Sequence, residues 1–178
     1  MKNFYFKNIK VQRKILEKIN TKQLEKLEHI ILNTSKKGGK IIVVGNGGSA
    51  ATASHVAVDL SLNSKIKAIN FNESDLITCF ANDFGYENWV KKSLEIYSEP
   101  LDLLILISCS GNSKNLVNAN IFAKKKGLKV VTLTGCKRNN KLNSIKNDLN
   151  IWINSKEYNT IEIVHHCILL NIVDGIKK

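Results

Sequence analysis

Three serines, Ser108, Ser110 and Ser113, fall within six residues, with Gly111 between them and the apolar run Leu103-Leu104-Ile105-Leu106-Ile107 immediately before. Hydroxyls and backbone N–H groups gathered where a strand turns into a helix form an anion-binding arrangement, because the first-turn N–H groups have no intrahelical acceptor. A second loop of the same kind, Gly45-Asn46-Gly47-Gly48-Ser49-Ala50, follows Ile41-Ile42-Val43-Val44. It lacks the Lys of a nucleotide P-loop and ends on Ala50 where a dinucleotide loop has glycine. Serines without that lysine suit a phosphomonoester on a sugar better than a triphosphate, which calls for Lys and Mg²⁺.

His55 and Asp59 follow the first loop at a spacing of four, which puts imidazole and carboxylate on one helix face. That pair suits proton transfer or two ligands of a divalent metal. Two further imidazoles, His165 and His166, lie near the C-terminus, and His29 sits on an early helix as a surface or interface residue. The cysteines, Cys79, Cys109, Cys136 and Cys167, show no metal-type pairing and read as free thiols. Cys109, inside the serine loop, is the one placed to act as a nucleophile, although no histidine lies near it in sequence.

These residues must be positioned by alternating strands and helices. Lys40–Val44 predicts a strand, Ser49–Leu62 a helix and Lys65–Asn70 a short strand. Glu73–Ala81 and Glu87–Tyr97 predict helices joined by a turn at Asn82-Asp83-Phe84-Gly85. Strands over Leu101–Ile107, Leu128–Leu133 and Asp148–Ile153 follow, with helices over Ser113–Lys126, Asn140–Ile145 and Thr160–Ile176. The expected fold is α/β: a three-layer, Rossmann-like, five-stranded and mostly parallel sheet flanked by helices, within a single domain over 1–178. Ahead of it, Ile9, Val11, Ile15, Leu16, Ile19, Leu24, Leu27, Ile30 and Ile31 recur at helical spacing. They predict one long helix over 9–37 within an N-terminal extension (1–37) that makes oligomer contacts.

The 178 residues carry a formal charge of +12, which invites a nucleic-acid partner. Only Arg13 and Arg138 among the 27 basic residues are arginine, the lysines are spread along the chain, and bidentate base readout prefers arginine. No nucleic-acid partner is therefore expected. No apolar stretch approaches a membrane span, and the first residues are too polar for a signal peptide, so the expected location is the cytoplasm with no membrane contact.

Taken together, Gly45–Ala50, His55 and Asp59, Ala81–Gly85, Ser108–Ser113 and Leu133-Thr134-Gly135 resemble the sugar-isomerase (SIS) domain proteins over roughly residues 10–176. Among these the chain looks most like the phosphoheptose isomerases. The resemblance implies a homotetramer with active sites between subunits. It also implies isomerisation of sedoheptulose 7-phosphate to a glycero-manno-heptose 7-phosphate through an enediol, for lipopolysaccharide, capsule or S-layer sugars. It implies that Ser108, Ser110 and Ser113 hold the phosphate, that Asn46, Gly47 and Ser49 line the site, and that Asn82, Asp83 and Thr134 neighbour it. The family's His-then-Glu pair is His55 and Asp59 here, one methylene shorter.

The family also carries Gln and, eight residues on, His in its last helix; aligned on Glu162, those positions hold Ile161 and Leu169. His165 lies one turn from each and is expected to supply the missing imidazole, making His55, Asp59 and His165 the catalytic set. Nothing in the sequence requires a cofactor; Zn²⁺ held by those same three residues is the candidate. The departures at Asp59, Ile161 and Leu169 keep open a second class of function, a non-catalytic SIS protein that binds a sugar phosphate as a sensor or binds a replication initiator.

Overall fold

The computed structural model describes residues 2–177. Five strands, β1 (Ile41–Gly45), β2 (Ala68–Ile69), β3 (Leu103–Ser108), β4 (Lys129–Thr134) and β5 (Leu149–Trp152), form one sheet in the order β2-β1-β3-β4-β5, and every pairing is parallel. The sheet is therefore wholly rather than mostly parallel. Each strand after β1 is entered through a crossover, and strands covered on both faces read as unbroken apolar runs, as Ile41–Val44 and Leu103–Ile107 do.

Helices α1 (Lys2–Leu16), α2 (Thr21–Lys36), α3 (Gly48–Asn63), α4 (Ser74–Phe84), α5 (Trp89–Tyr97), α6 (Lys114–Lys125), α7 (Lys141–Ser144) and α8 (Tyr158–Ile176) complete the chain. Alternate strand residues face opposite layers. Ile41, Val43, Leu103, Ile105 and Ile107 pack against Leu27 and Ile31 of α2, Val56 and Leu60 of α3, and Val164, Ile168 and Ile172 of α8. Ile42, Val44, Leu104, Leu106 and Val130 pack against Trp89, Val90 and Leu94 of α5 and Leu116, Ala119 and Ala123 of α6.

Two elements differ from expectation. The single helix over 9–37 is broken between Leu16 and Thr21, where Asn20 takes an extended conformation and its side chain accepts from the N–H of Lys22 as the N-cap of α2. The turn expected at 82–85 is displaced: Asn82, Asp83 and Phe84 stay in α4, and the helix ends only at Gly85, whose φ of 80° suits glycine.

The register of the central pair is fixed at its far end. Asp102, 1% exposed, accepts from Lys40 Nζ (2.6 Å), Lys40 N (2.9 Å) and Glu99 N (2.8 Å) just before β1 and β3 begin. Both strands then run in step to their C-terminal ends, where α3 departs to one face of the sheet and α6 to the other. A crevice opens between such diverging connections.

Candidate functional site

The two loops meet in that crevice. Asn46, Ser49, Ile107, Ser108, Cys109, Ser110, Ser113, Tyr158 and Glu162 line a cavity of about 100 Å³. The chain turns into α3 through Gly47 at φ 53°, ψ −124°, a conformation open to glycine. It turns into α6 through Gly111 at φ 64°, where an added Cβ would also collide with the Asn140 side chain. Asn46 is held by a reciprocal amide pair with Asn115 (3.1 and 2.9 Å), and its Oδ1 also accepts from the Tyr86 hydroxyl at 3.2 Å.

Ser108 and Ser110 accept from the N–H groups of Gly111 and Asn112, which tightens the loop. Ser113 is the N-cap of α6, yet its hydroxyl makes no capping bond. Its hydroxyl is thus available at the cavity, whereas the first-turn N–H of Leu116 is taken by the Ser113 carbonyl at 3.1 Å. Cys109 is buried, and burial together with the nearby charge of Glu162 pushes its thiol up to about 11. It is a neutral thiol at physiological pH, which removes it as a nucleophile.

Glu162 also lines a second cavity of about 310 Å³, together with Gly48, Thr52, Ile163, His166 and Cys167. Beside it runs a chain of polar groups. The Thr52 hydroxyl lies 3.3 Å from His166 Nδ1, His166 Nε2 lies 3.0 Å from His55 Nδ1, and His55 Nε2 lies 3.3 Å from Asp59 Oδ2. One set of neutral tautomers satisfies every contact: Thr52 O–H donates to His166, His166 Nε2–H to His55, and His55 Nε2–H to Asp59.

The imidazole expected from His165 comes from His166 instead. Residues 161, 165 and 169 do share a face, but it is the face packed on the sheet, where all three are buried. His165 Nε2 donates to the Thr134 carbonyl at 3.2 Å, its Nδ1 has no partner, and burial lowers its pKa to about 4. It is a neutral core histidine that touches neither cavity. Thr134 is likewise fully buried, with its hydroxyl unpartnered, so its side chain does not reach the crevice as expected. Asn82 and Asp83 are exposed on α4, hydrogen-bonded to one another at 2.9 Å, and line neither cavity.

The expected metal set fails for the same reason. With His165 in the core, no group of three His, Cys, Asp or Glu side chains among the described residues is arranged to hold a metal ion. The imidazole edges of His55 and His166 that face each other are joined by a hydrogen bond. The residues present do not fit Zn²⁺. Sequence reasoning also missed Glu162 as a site residue; its signal was the spacing to His166, a polar i, i+4 pair beside the buried stripe.

Residues 4–135 match the family model described as SIS domain. The phosphoheptose isomerase of Aliarcobacter butzleri is 36% identical over 162 residues, 86% of this chain and 85% of that protein. The phosphoheptose isomerase of Glaesserella parasuis serovar 5 is 38% identical over 121 residues, and there the match covers 65% of this chain and 63% of the relative. The solved phosphoheptose isomerase of Neisseria gonorrhoeae shares the fold at a TM-score of 0.89 and 25% identity, over 98% of this chain and 96% of that one.

Proposed function

The chain belongs to the SIS domain family, and we propose that it is an aldose–ketose isomerase that converts sedoheptulose 7-phosphate to D-glycero-D-manno-heptose 7-phosphate through an enediol. The observation that carries this reading is the cavity between β1 and β3, ringed by Asn46, Ser49, Ser108, Ser110 and Ser113, with a second cavity beside His166 that shares Glu162 in its lining. The first cavity takes the phosphate through its serine hydroxyls; hydrogen bonds to such a charged group contribute about 1.5–3 kcal/mol each. The sugar then extends toward His166, which Thr52, His55 and Asp59 hold in place.

The lengths agree. An extended seven-carbon chain spans roughly 7 Å between its end carbons, at about 1.2 Å per bond. At 1.5 Å per residue along α3, Thr52 lies about 4.5 Å, His55 about 9 Å and Asp59 about 15 Å beyond Ser49. With the C7–O–P linkage adding roughly 2.5 Å, C1 of a heptose held by its 7-phosphate reaches about the level of His55.

The same reading includes a homotetramer that covers Phe4, Tyr5, Phe6 and Ile9, all exposed on α1, and a cytoplasmic role supplying heptose for lipopolysaccharide or capsule. No helix among the described residues is long and apolar enough to cross a membrane.

Incubation with sedoheptulose 7-phosphate in D₂O tests the function. Isomerisation with deuterium entering beside the carbonyl is expected; tight binding without exchange or conversion would instead make the chain a sugar-phosphate-binding protein.

A further inference from the structure

We propose that Asn140 is a positioning residue for phosphate binding: its buried amide holds the segment after β4 against the serine loop and so sets where Ser110 and Ser113 stand. This rests on the phosphosugar reading of the cavity given above. Asn140 is 2% exposed and lines neither cavity. Its amide is fully used. Nδ2 donates to the carbonyls of Lys137 (2.8 Å) and Gly135 (3.3 Å), and Oδ1 accepts from the N–H of Asn143 (2.9 Å) at the N-cap of α7. Two donors and one acceptor on so short a side chain require a carboxamide, since a carboxylate offers no donor and a hydroxyl only one.

The segment folded around this amide meets the serine loop at three points. The Gly135 N–H donates to the Cys109 carbonyl, the Leu142 N–H to the Gly111 carbonyl and the Lys141 N–H to Oδ1 of Asn112, each at 3.0 Å. Leu142 is fully buried and anchors the segment in the apolar layer that also holds Leu116 and Ala119 of α6. Asn140 itself packs on Gly111, where any Cβ would run into its Oδ1, Cγ and Nδ2. Gly111 stands between Ser110 and Ser113, both of which line the cavity. The bonds inside the loop, from Gly111 N–H to Ser108 and from Asn112 N–H to Ser110, shape its turn. The contacts from the Asn140 segment fix its far side.

Hydroxyls that bind a phosphate must be held in place, because a shift of about 1 Å in a positioning group is felt strongly. The phosphate takes no part in the proton transfer. Loosening its loop therefore weakens substrate and transition state alike, which raises KM and leaves kcat.

Asn140→Ser tests this. Serine keeps an N-cap acceptor for α7 and removes the amide that bridges Gly135 and Lys137. The dissociation constant of inorganic phosphate, measured by calorimetry, and KM for sedoheptulose 7-phosphate should rise together by roughly tenfold or more, with kcat within about threefold of the parent. A merely structural role would lower the unfolding midpoint and leave both affinities alone. Affinities within roughly twofold of the parent overturn the proposal even where the isomerase stands. Should Asn140→Ser fail to fold, Asn112→Ala is decisive, because it cuts the same contact from an exposed position on the serine loop. It should weaken phosphate binding about threefold or more, and unchanged binding overturns the proposal. A parent that binds phosphate without exchanging deuterium into the sugar ends the isomerase reading and leaves the role of Asn140 to be decided by the phosphate affinities. A parent that binds neither phosphate nor the phosphosugar ends both.

Discussion

His55 Nδ1 and His166 Nε2 stand 3.0 Å apart, joining α3 to α8 beside the crevice. The contact links the helix that leaves β1 to the helix that closes the chain. It extends on one side to Asp59 and on the other to Thr52.

Residues in one hydrogen-bonded network are energetically coupled. His55→Ala and His166→Ala should each lower kcat by about 10- to 100-fold, and the double variant should fall well short of the product of the two losses. Steady-state kinetics of the four proteins gives the coupling. Fully multiplicative losses would mean that the two imidazoles act independently.

Ser113→Ala should separate binding from stability. Replacing a serine N-cap normally costs about 1 kcal/mol, but the Ser113 hydroxyl makes no capping bond. The urea midpoint should stay nearly unchanged, while KM for the phosphosugar rises roughly tenfold or more through loss of a charge-assisted hydrogen bond. A lowered midpoint with unchanged KM would return Ser113 to a capping role.

Acid stability should report His165. Burial holds its pKa at about 4, below the ordinary 6.5. The unfolded chain therefore binds the proton more readily, and stability from this group is complete above about pH 6.5 and lost as pH falls toward 4. The loss amounts to at most about 3 kcal/mol. Urea unfolding at pH 7 and pH 4.5 should show this decline in the parent, and His165→Leu should flatten it whatever its effect at pH 7.

Those histidines also mark where sequence reading succeeds and fails. The two polar loops and the apolar runs before them were legible because a strand buried on both faces has no polar residue to spare, and because the Gly47 and Gly111 turns need glycine. Their place at the C-terminal ends of parallel strands followed, whereas the order β2-β1-β3-β4-β5 that brings the two loops together was not read from the sequence. The choice between His165 and His166 did not, since a one-residue change of register on α8 turns a side chain by about 100°. The membership of 165 in the Ile161–Leu169 stripe was itself the signal of burial. The break near Asn20 was hidden because apolar spacing continues through Ile19 and Leu24, although the Asn20-Thr21 cap was present. Asn82 and Asp83 were read as a turn because polar residues precede Gly85, yet the helix needed only the glycine to end.

The central claim is that the mouth of the sheet holds a sugar monophosphate with its reacting carbons beside His55 and His166. A crystal structure with sedoheptulose 7-phosphate bound tests it most directly. The account predicts phosphate oxygens within hydrogen-bond distance of Ser49, Ser110 and Ser113, and C1 beside His55 and His166. A phosphate seated away from the Ser108–Ser113 loop, or a sugar running away from α8, would contradict it.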